Sequence, residues 1–268
     1  IGFSRSCPLP NRIKGMNTTK ISINELSALL KRVLESLYAD NKDYEDTAQL
    51  ALWLEIYNLN GISTLLSAME YIANHDAIVP ALITDDVDRC VIDNMNGSLF
   101  NIACVATDMT IAKSSFAGYC HTNIINCQHL NVIIPCVTRC GARGYSSTAW
   151  WFEIKAKQLH VVSISANQTN PKYRIMEIGS ESDIYHRHVD LICSQEKIDL
   201  SNSYEHLGHL MDSARQKKQI SPSKFKQRFE KNQNNGLTID KPNYLRLCKI
   251  ADQILVEATE KSRHNAGE

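Results

Sequence analysis

Apolar residues recur at helical spacing early in the chain. Leu26, Leu29, Leu30, Val33, Leu34 and Leu37 fall on one face, and a repeat at i, i+3 and i+4 predicts an amphipathic helix. Ser22-Ile-Asn-Glu25 stands just before it and reads as a capping box, the Ser22 hydroxyl accepting from a backbone N–H three residues on while Glu25 reaches back. A second helix is predicted from Asp43, where Glu45 and Asp46 suit the positive end of a helix, through Ala48, Ala51, Leu52 and Trp53 to a stop at Asn60-Gly61. A third carries Leu65, Leu66, Met69 and Ile72. Residues 20–75 are therefore expected to be a three-helix unit.

The period changes near residue 76. Thr84–Asp88 and Asp93–Gly97 read as loops, and β-branched residues then gather in short runs at Asn131–Ile134, Leu159–Ser165, Tyr173–Ile178 and His188–Ile192. "WWFEIKAKQLHVV" reads as a hairpin with Lys155-Ala-Lys157 near its tip. Beyond residue 201 the pattern is helical again: Leu207, Leu210, Met211 and Ala214 share a face, Ser221-Pro222 opens a basic helix that "NQNNG" ends, and Tyr244–Ala258 forms the last. Helices, then a mixed and mostly strand middle over 76–200, then helices over 201–268, predict an α+β fold. Residues 1–19 read as a disordered or mis-assigned extension, because no periodicity precedes Met16, and 20–268 as a single globular domain.

Composition narrows the function classes. Among 268 residues, 29 Lys+Arg balance 29 Asp+Glu, so no global field draws the chain to nucleic acid or to an anionic membrane. No apolar run approaches the roughly 18 to 20 residues of a membrane span, and the expected location is cytoplasmic. The nine cysteines lack paired metal-type spacing and read as buried reduced thiols. No Gly-x-Gly-x-x-Gly, phosphate loop, Gly-x-Ser-x-Gly or His-Glu-x-x-His is present, and no cofactor is predicted. Whether the chain is an enzyme stays open.

Several clusters compete as sites. Cys136-Val-Thr-Arg-Cys-Gly-Ala-Arg-Gly-Tyr145 reads either as a site loop using Arg139 and Arg143, or as a buried segment with Ile133, Ile134, Val137 and Cys140 in the core and the arginines outward. Cys120, His121, Cys127, His129, Cys136 and Cys140 invite a zinc reading, but only Cys136 and Cys140 are suitably close, so no metal is predicted. His186 and His188 share a strand face without a carboxylate placed beside them. The basic run Arg215, Lys217, Lys218, Lys224, Lys226, Arg228 and Lys231, interrupted by Phe225 and Phe229, reads as a helix docking its aromatics rather than as a nucleic-acid surface.

Two resemblances follow. "ISINELSALLKRVLESL", "YEDTAQLALWLEIYNLNGISTLL" and the tail "YLRLCKIADQILVEATEKSRHNAGE" resemble an uncharacterised bacterial family, whose tail pattern falls on Glu260, Ser262, Arg263, Ala266 and Gly267. Glu260, Ser262 and Arg263 offer an acceptor, a hydroxyl and a bidentate guanidinium suited to a carboxylate or phosphate, or else tie down a helix end. Arg139-Cys-Gly-Ala-Arg-Gly-Tyr145 in turn resembles a His-Phe-Gly segment of the non-Rossmann malate and L-lactate dehydrogenase superfamily, with Arg139 in the place of the His. Gly61-Ile-Ser-Thr-Leu-Leu66 is similar to its Gly-x-x-Ser-His-Gly motif, with Leu65 where the catalytic His belongs. Neither replacement exchanges protons near neutral pH, so this kinship implies that the dehydrogenase chemistry is lost. The expectations are a protein that binds or processes a small carboxylated or phosphorylated metabolite through Glu260, Ser262, Arg263, Arg139 and Arg143, or a non-catalytic interaction protein degenerate from those dehydrogenases.

Overall fold

A computed structural model of the chain describes residues 17–37, 44–73, 79–178, 187–198, 208, 211 and 213–252. A short strand, β1 (Thr18–Ile21), leads into helices α1 (Ile23–Leu37), α2 (Tyr44–Ile56) and α3 (Gly61–Ala73). The capping box forms as expected, with Glu25 N donating to Ser22 Oγ at 3.1 Å and Ser22 N donating to Glu25 Oε2 at 2.7 Å. Leu26, Leu30, Val33 and Leu34 are wholly buried, and α1 packs on α2 and α3.

Gly61 begins α3 instead of ending α2. Asn58 and Asn60 make the break, with φ of 54° and 61°, in the left-handed region that asparagine tolerates. Glycine is needed at 61 because α3 starts in contact with α2: a Cβ there would lie 2.0 Å from the Ala51 carbonyl oxygen and 2.6 Å from Glu55 N. Glu55 completes the junction by accepting from Ile62 N at 2.9 Å.

Strands β2 (Ala81–Asp85), β3 (Arg89–Asp93), β4 (Tyr119–Ile125), β5 (Ser146–Glu153), β6 (Gln158–Ile164), β7 (Lys172–Glu177), β8 (Val189–Ser194) and β9 (Arg215–Ile220) form one eight-stranded sheet, in the order β2-β3-β4-β8-β5-β6-β7-β9. Only β3 and β4 pair in parallel; the other neighbours are antiparallel. A parallel pair needs a long crossover, supplied here by α4 (Ala103–Ala117), and α5 (Ile133–Ala142) joins β4 to β5. Helix α6 (Pro222–Asn235) follows β9, then β10 (Leu237–Asp240) pairs antiparallel with β1, and residues 241–252 are helical. Thr18 and Thr19, inside the stretch expected to be an extension, are thus strand residues.

The α+β expectation holds, as does the hairpin: β5 and β6 pair from Ser147↔Ile164 to Glu153↔Gln158, with Lys155 in its tip. Three further local expectations fail. Thr84 and Asp85, read as loop, close strand β2 and pair with Val91 and Cys90. Asn131–Ile134 is not a strand: Asn131 and Val132 lie in a 3-10 turn (Leu130–Val132) and Ile133 and Ile134 begin α5, where Pro135 sits comfortably in the first helical turn and the apolar residues are buried. Arg215, Lys217 and Lys218 lie on β9, whereas Lys224–Lys231 lie on α6. That helix docks one aromatic fully: Phe225 is wholly buried, its ring 5.4 Å from Tyr57 and 5.9 Å from Trp53, whereas Phe229 lies 6.2 Å from Tyr57 and stays exposed.

The main core lies between the helices and one face of the sheet; Trp150, Phe152, Leu159, Val161, Met176 and Ile192 form a second core on the opposite face. The eight described cysteines are free thiols, seven of them buried. Burial pushes Cys120 and Cys127 up to about 12, which leaves them unreactive as thiolates. No described helix is long and apolar enough to cross a membrane.

The α2–α3 contact gives a direct check. Gly61→Ala forces a methyl group into the Ala51 carbonyl, and we expect it to cost about 2 to 3 kcal/mol, read as a lower urea midpoint with unchanged slope. An unaffected midpoint would show that α3 does not need this close approach.

Candidate functional site

Strand β4 enters α5 through a tight turn at His129, whose φ of 59° and ψ of 49° are left-handed. The loop after β3 runs beside it: Gln128 N donates to Gly97 O at 2.9 Å and Leu99 N donates to Gln128 O at 3.0 Å. Ser98, wholly buried between them, accepts from Phe100 N at 3.3 Å and lies 3.1 Å from His129 Nδ1. The His129 ring also meets Tyr71 edge-on at 5.5 Å. Burial lowers its pKa, while the backbone of Ser67 opposes that shift. Asn131 Nδ2 donates to Thr64 Oγ1 at 3.2 Å, which fastens the same turn to α3.

Beside this turn opens a cavity of about 680 Å³. Its walls are the α2–α3 turn at Asn58–Asn60, the β4–α5 turn at Cys127–Asn131, the hairpin tip at Glu153–Lys155, and side chains of the adjoining strands, including Trp151, His160, Tyr173, Ile175 and Lys218. Lys155, Arg187 and Lys218 are exposed at its rim. Ile134, Trp151 and Ile175 supply apolar wall, the mix of one apolar surface and a few polar groups that suits a small molecule.

His160, 7% exposed, is the buried histidine of this cavity. It stacks on Trp151 at 4.9 Å between ring centres, and its Nδ1 lies 2.6 Å from the Tyr173 hydroxyl. Burial depresses its pKa to about 4, so the ring is neutral over the physiological range. Burial, with a smaller contribution from Glu153, raises Tyr173 and keeps its phenol protonated.

The residues singled out from sequence are distributed differently. Arg139 Nη2 donates to Asp46 Oδ1 at 2.6 Å and lines a smaller cavity of about 310 Å³ between α2 and α5. Arg143 pairs with Asp108 on α4. The two arginines therefore clamp α5 to its neighbours and do not reach the His129 cavity. The "CVTRCGARGY" stretch is the buried helix α5 and the turn into β5, in which Gly141 admits the Gln168 carbonyl, 2.7 Å from where a Cβ would stand. Leu65 is wholly buried in α3. Glu260, Ser262 and Arg263 lie outside the described residues.

The cysteine and histidine cluster also disperses. Cys140 Sγ meets Cys193 Sγ at 3.0 Å and Cys127 Sγ donates to Ile124 O, while no group of three or more metal-capable side chains forms among the described residues. On the opposite face of the sheet, His188 does have a carboxylate partner, contrary to expectation: Asp190 lies 3.2 Å from His188 Nε2 and 2.8 Å from His121 Nε2, and accepts from Asn123 Nδ2 at 2.8 Å. Burial alone would raise Asp190, but the two imidazoles outweigh it and hold its carboxyl at about 2. His160 escaped sequence reasoning because "QLHVVSI" reads as a core strand; only the cross-strand register, which sets it opposite Ile175 and diagonal to Tyr173, reveals it.

No protein-family model and no curated protein sequence matches the chain. Solved structures do: the fold is that of the malate/lactate-type dehydrogenases. Malate dehydrogenase from Pyrococcus horikoshii superposes with a TM-score of 0.64 at 10% identity, over 89% of this chain and 96% of that one. Sulfolactate dehydrogenase from Methanocaldococcus jannaschii gives 0.57 at 11% identity, over 88% and 97%. Delta1-piperideine-2-carboxylate reductase from Pseudomonas syringae gives 0.58 at 12%, over 87% and 99%. These neighbours support the dehydrogenase resemblance at the level of fold, and none bears on the bacterial family resembled by the termini.

Two outcomes test this geometry. An unfolded histidine takes its proton near pH 6.5, but His160 takes it only near 4. Between those values the unfolded chain holds more protons, so stability falls as pH falls. We expect His160→Gln to reduce the loss of unfolding free energy from pH 7 to about 4.5 by about 2 kcal/mol; an identical pH profile would place the burial elsewhere. Arg139→Ala should lower stability by about 1 to 2 kcal/mol, since it strands the half-buried Asp46, and leave ligand binding in the His129 cavity unchanged, as read by calorimetry.

Proposed function

We propose that the protein is a degenerate relative of the malate/lactate-type dehydrogenases that binds a small carboxylated or phosphorylated metabolite in the cavity beside His129, without hydride transfer. The observation that carries the reading is the charge at the rim. Lys155, Arg187 and Lys218 line the cavity, none of the three ion-paired among the described residues. Glu153 is the single carboxylate there among the described residues. Unpaired cations at the mouth of a concave, partly apolar site attract an anion and fix its orientation.

The non-catalytic half of the reading rests on side chains. A shared fold at about 10% identity carries no reaction with it. Leu65, at the position matching a catalytic His, is packed in the helical core, and His129 is tied to Ser98 with its pKa lowered by burial. No second imidazole stands on α3 to exchange a proton across the cavity.

A thermal-shift screen tests both halves, using pyruvate, oxaloacetate, malate, sulfolactate and small phosphorylated acids. A ligand at 100 times its dissociation constant adds about 2.7 kcal/mol of stability, and the double variant Lys155→Ala/Lys218→Ala should weaken such a ligand by about tenfold or more. Both lysines are exposed, so the variant keeps the fold. Silence across all anions would overturn the binding reading. Steady oxidation of a reduced nicotinamide cofactor with any of the keto acids would overturn the loss of hydride transfer.

A further inference from the structure

His160 holds a polar atom without a partner. Its Nε2 has no hydrogen bond among the described residues, although the residue is more than nine-tenths buried. Orphaned buried donors are rare in folded proteins because each costs its full desolvation. The state of that nitrogen follows by accounting. Tyr173 is buried, and the one partner of its hydroxyl among the described residues is His160 Nδ1, at 2.6 Å. With its proton given to Nδ1, Nδ1 is the acceptor and the single ring proton stands on Nε2. Nε2–H is then a neutral donor, fixed in tautomer by Tyr173 and in orientation by the Trp151 stack.

The group that borders Nε2 is the Glu153 carboxylate, with Oε2 at 3.5 Å and no hydrogen bond formed between them. Glu153 is 58% exposed at the hairpin tip, so its side chain is free to rotate away and open Nε2 to the cavity. His160 lines the same cavity as the apolar wall of Trp151 and Ile175, with its Nε2 covered in this arrangement, whereas the three cations sit at the rim.

We propose that His160 is the ligand-facing donor of this cavity: its Nε2–H hydrogen-bonds an uncharged carbonyl or amide oxygen of the bound molecule, in the place that the Glu153 carboxylate now borders. This deepens the metabolite-binding reading and rests on the same cavity. It assigns the ligand two poles, an anionic group toward Lys155, Arg187 and Lys218 and a neutral acceptor toward His160, with an apolar part between them.

The experiment uses the whole chain with 15N-labelled histidine and two probes, cyclohexanone, which offers one carbonyl oxygen and no charge, and oxaloacetate. Long-range 1H–15N correlation spectra should show His160 as the Nε2–H tautomer without any probe, and cyclohexanone should shift its Nε2 resonance. Glu153→Ala should enlarge that shift at equal probe concentration, an effect that charge cannot explain for a neutral probe. His160→Phe/Tyr173→Phe removes both polar partners together and so leaves neither unpaired; with the fold checked by near-UV circular dichroism, it should lose cyclohexanone binding. An Nδ1–H tautomer, a His160 signal unmoved by cyclohexanone, or undiminished cyclohexanone binding in the double variant would each overturn the proposal. If cyclohexanone shifts His160 while no anion binds, the charged-metabolite reading fails and this one stands; if oxaloacetate binds and leaves His160 unmoved, the reverse holds.

Discussion

The parallel pairing of β3 with β4 is the constraint on which the rest of the site depends. It carries on past the strands, through the bridge of Ser98 to Gln128, so the two loops that leave the sheet here run side by side. That continuation puts the buried Ser98 hydroxyl against the His129 ring and holds the left-handed turn in which β4 becomes α5. It also obliges α4 to cross over, because two parallel neighbours have no short connection. α5, launched from the turn, must then bury nearly its whole surface before returning as β5, and Arg139 and Arg143 clamp it to α2 and α4. One backbone pairing thereby sets the floor of the cavity, the helix behind it and the strand whose Trp151 forms its wall.

The other half of the cavity has an independent origin. Asn58, Asn60 and Gly61 let α3 start in contact with α2, which swings the α2–α3 turn over the end of the sheet. Asn131 reaches back to Thr64 and locks the two halves together. The cavity is therefore a junction between a helical layer and a sheet edge rather than a groove in either. Such a junction keeps its shape while its lining changes, because the residues that define it are glycine, asparagine and buried hydrophobics rather than the polar groups facing inward.

Legibility from sequence followed the reach of the interaction that decided each element. The Ser22–Glu25 box, the Ser221-Pro222 start of α6 and the β5–β6 hairpin rest on contacts within a few residues, and all could be read directly. α4 could not: "ACVATDMTIAKSSFA" is small and weakly amphipathic, and what makes it a helix is its packing on β4 and β8. Asn131–Ile134 looked like a strand because a buried helix and a buried strand share the same apolar run. β9 carries Arg215, Lys217 and Lys218 in an exposed edge strand, where charge at the sheet margin discourages pairing with other chains. The site was less legible than the fold. Arg139 and Arg143 stood out as unpaired cations in the sequence, and their partners Asp46 and Asp108 lie 93 and 35 residues away. His129 was visible only among cysteines that have no common centre, and His160 was hidden inside a core strand.

The division of polar groups across the cavity follows from the cost of desolvation. A cation drawn deep into this site would have to lose its hydration without a paired carboxylate, at a cost of several kcal/mol; at the rim, Lys155, Arg187 and Lys218 keep water and still project their field inward. The interior can hold polarity only in neutral form, and His160 meets that condition because burial keeps it uncharged and Tyr173 takes its other nitrogen. Trp151 contributes twice, as the ring on which His160 stacks and as apolar wall. Specificity in such a site resides in the neutral donor more than in the cations. Rim charge attracts any anion at long range, whereas a buried donor left unpaired penalises each molecule that fails to present an oxygen to it.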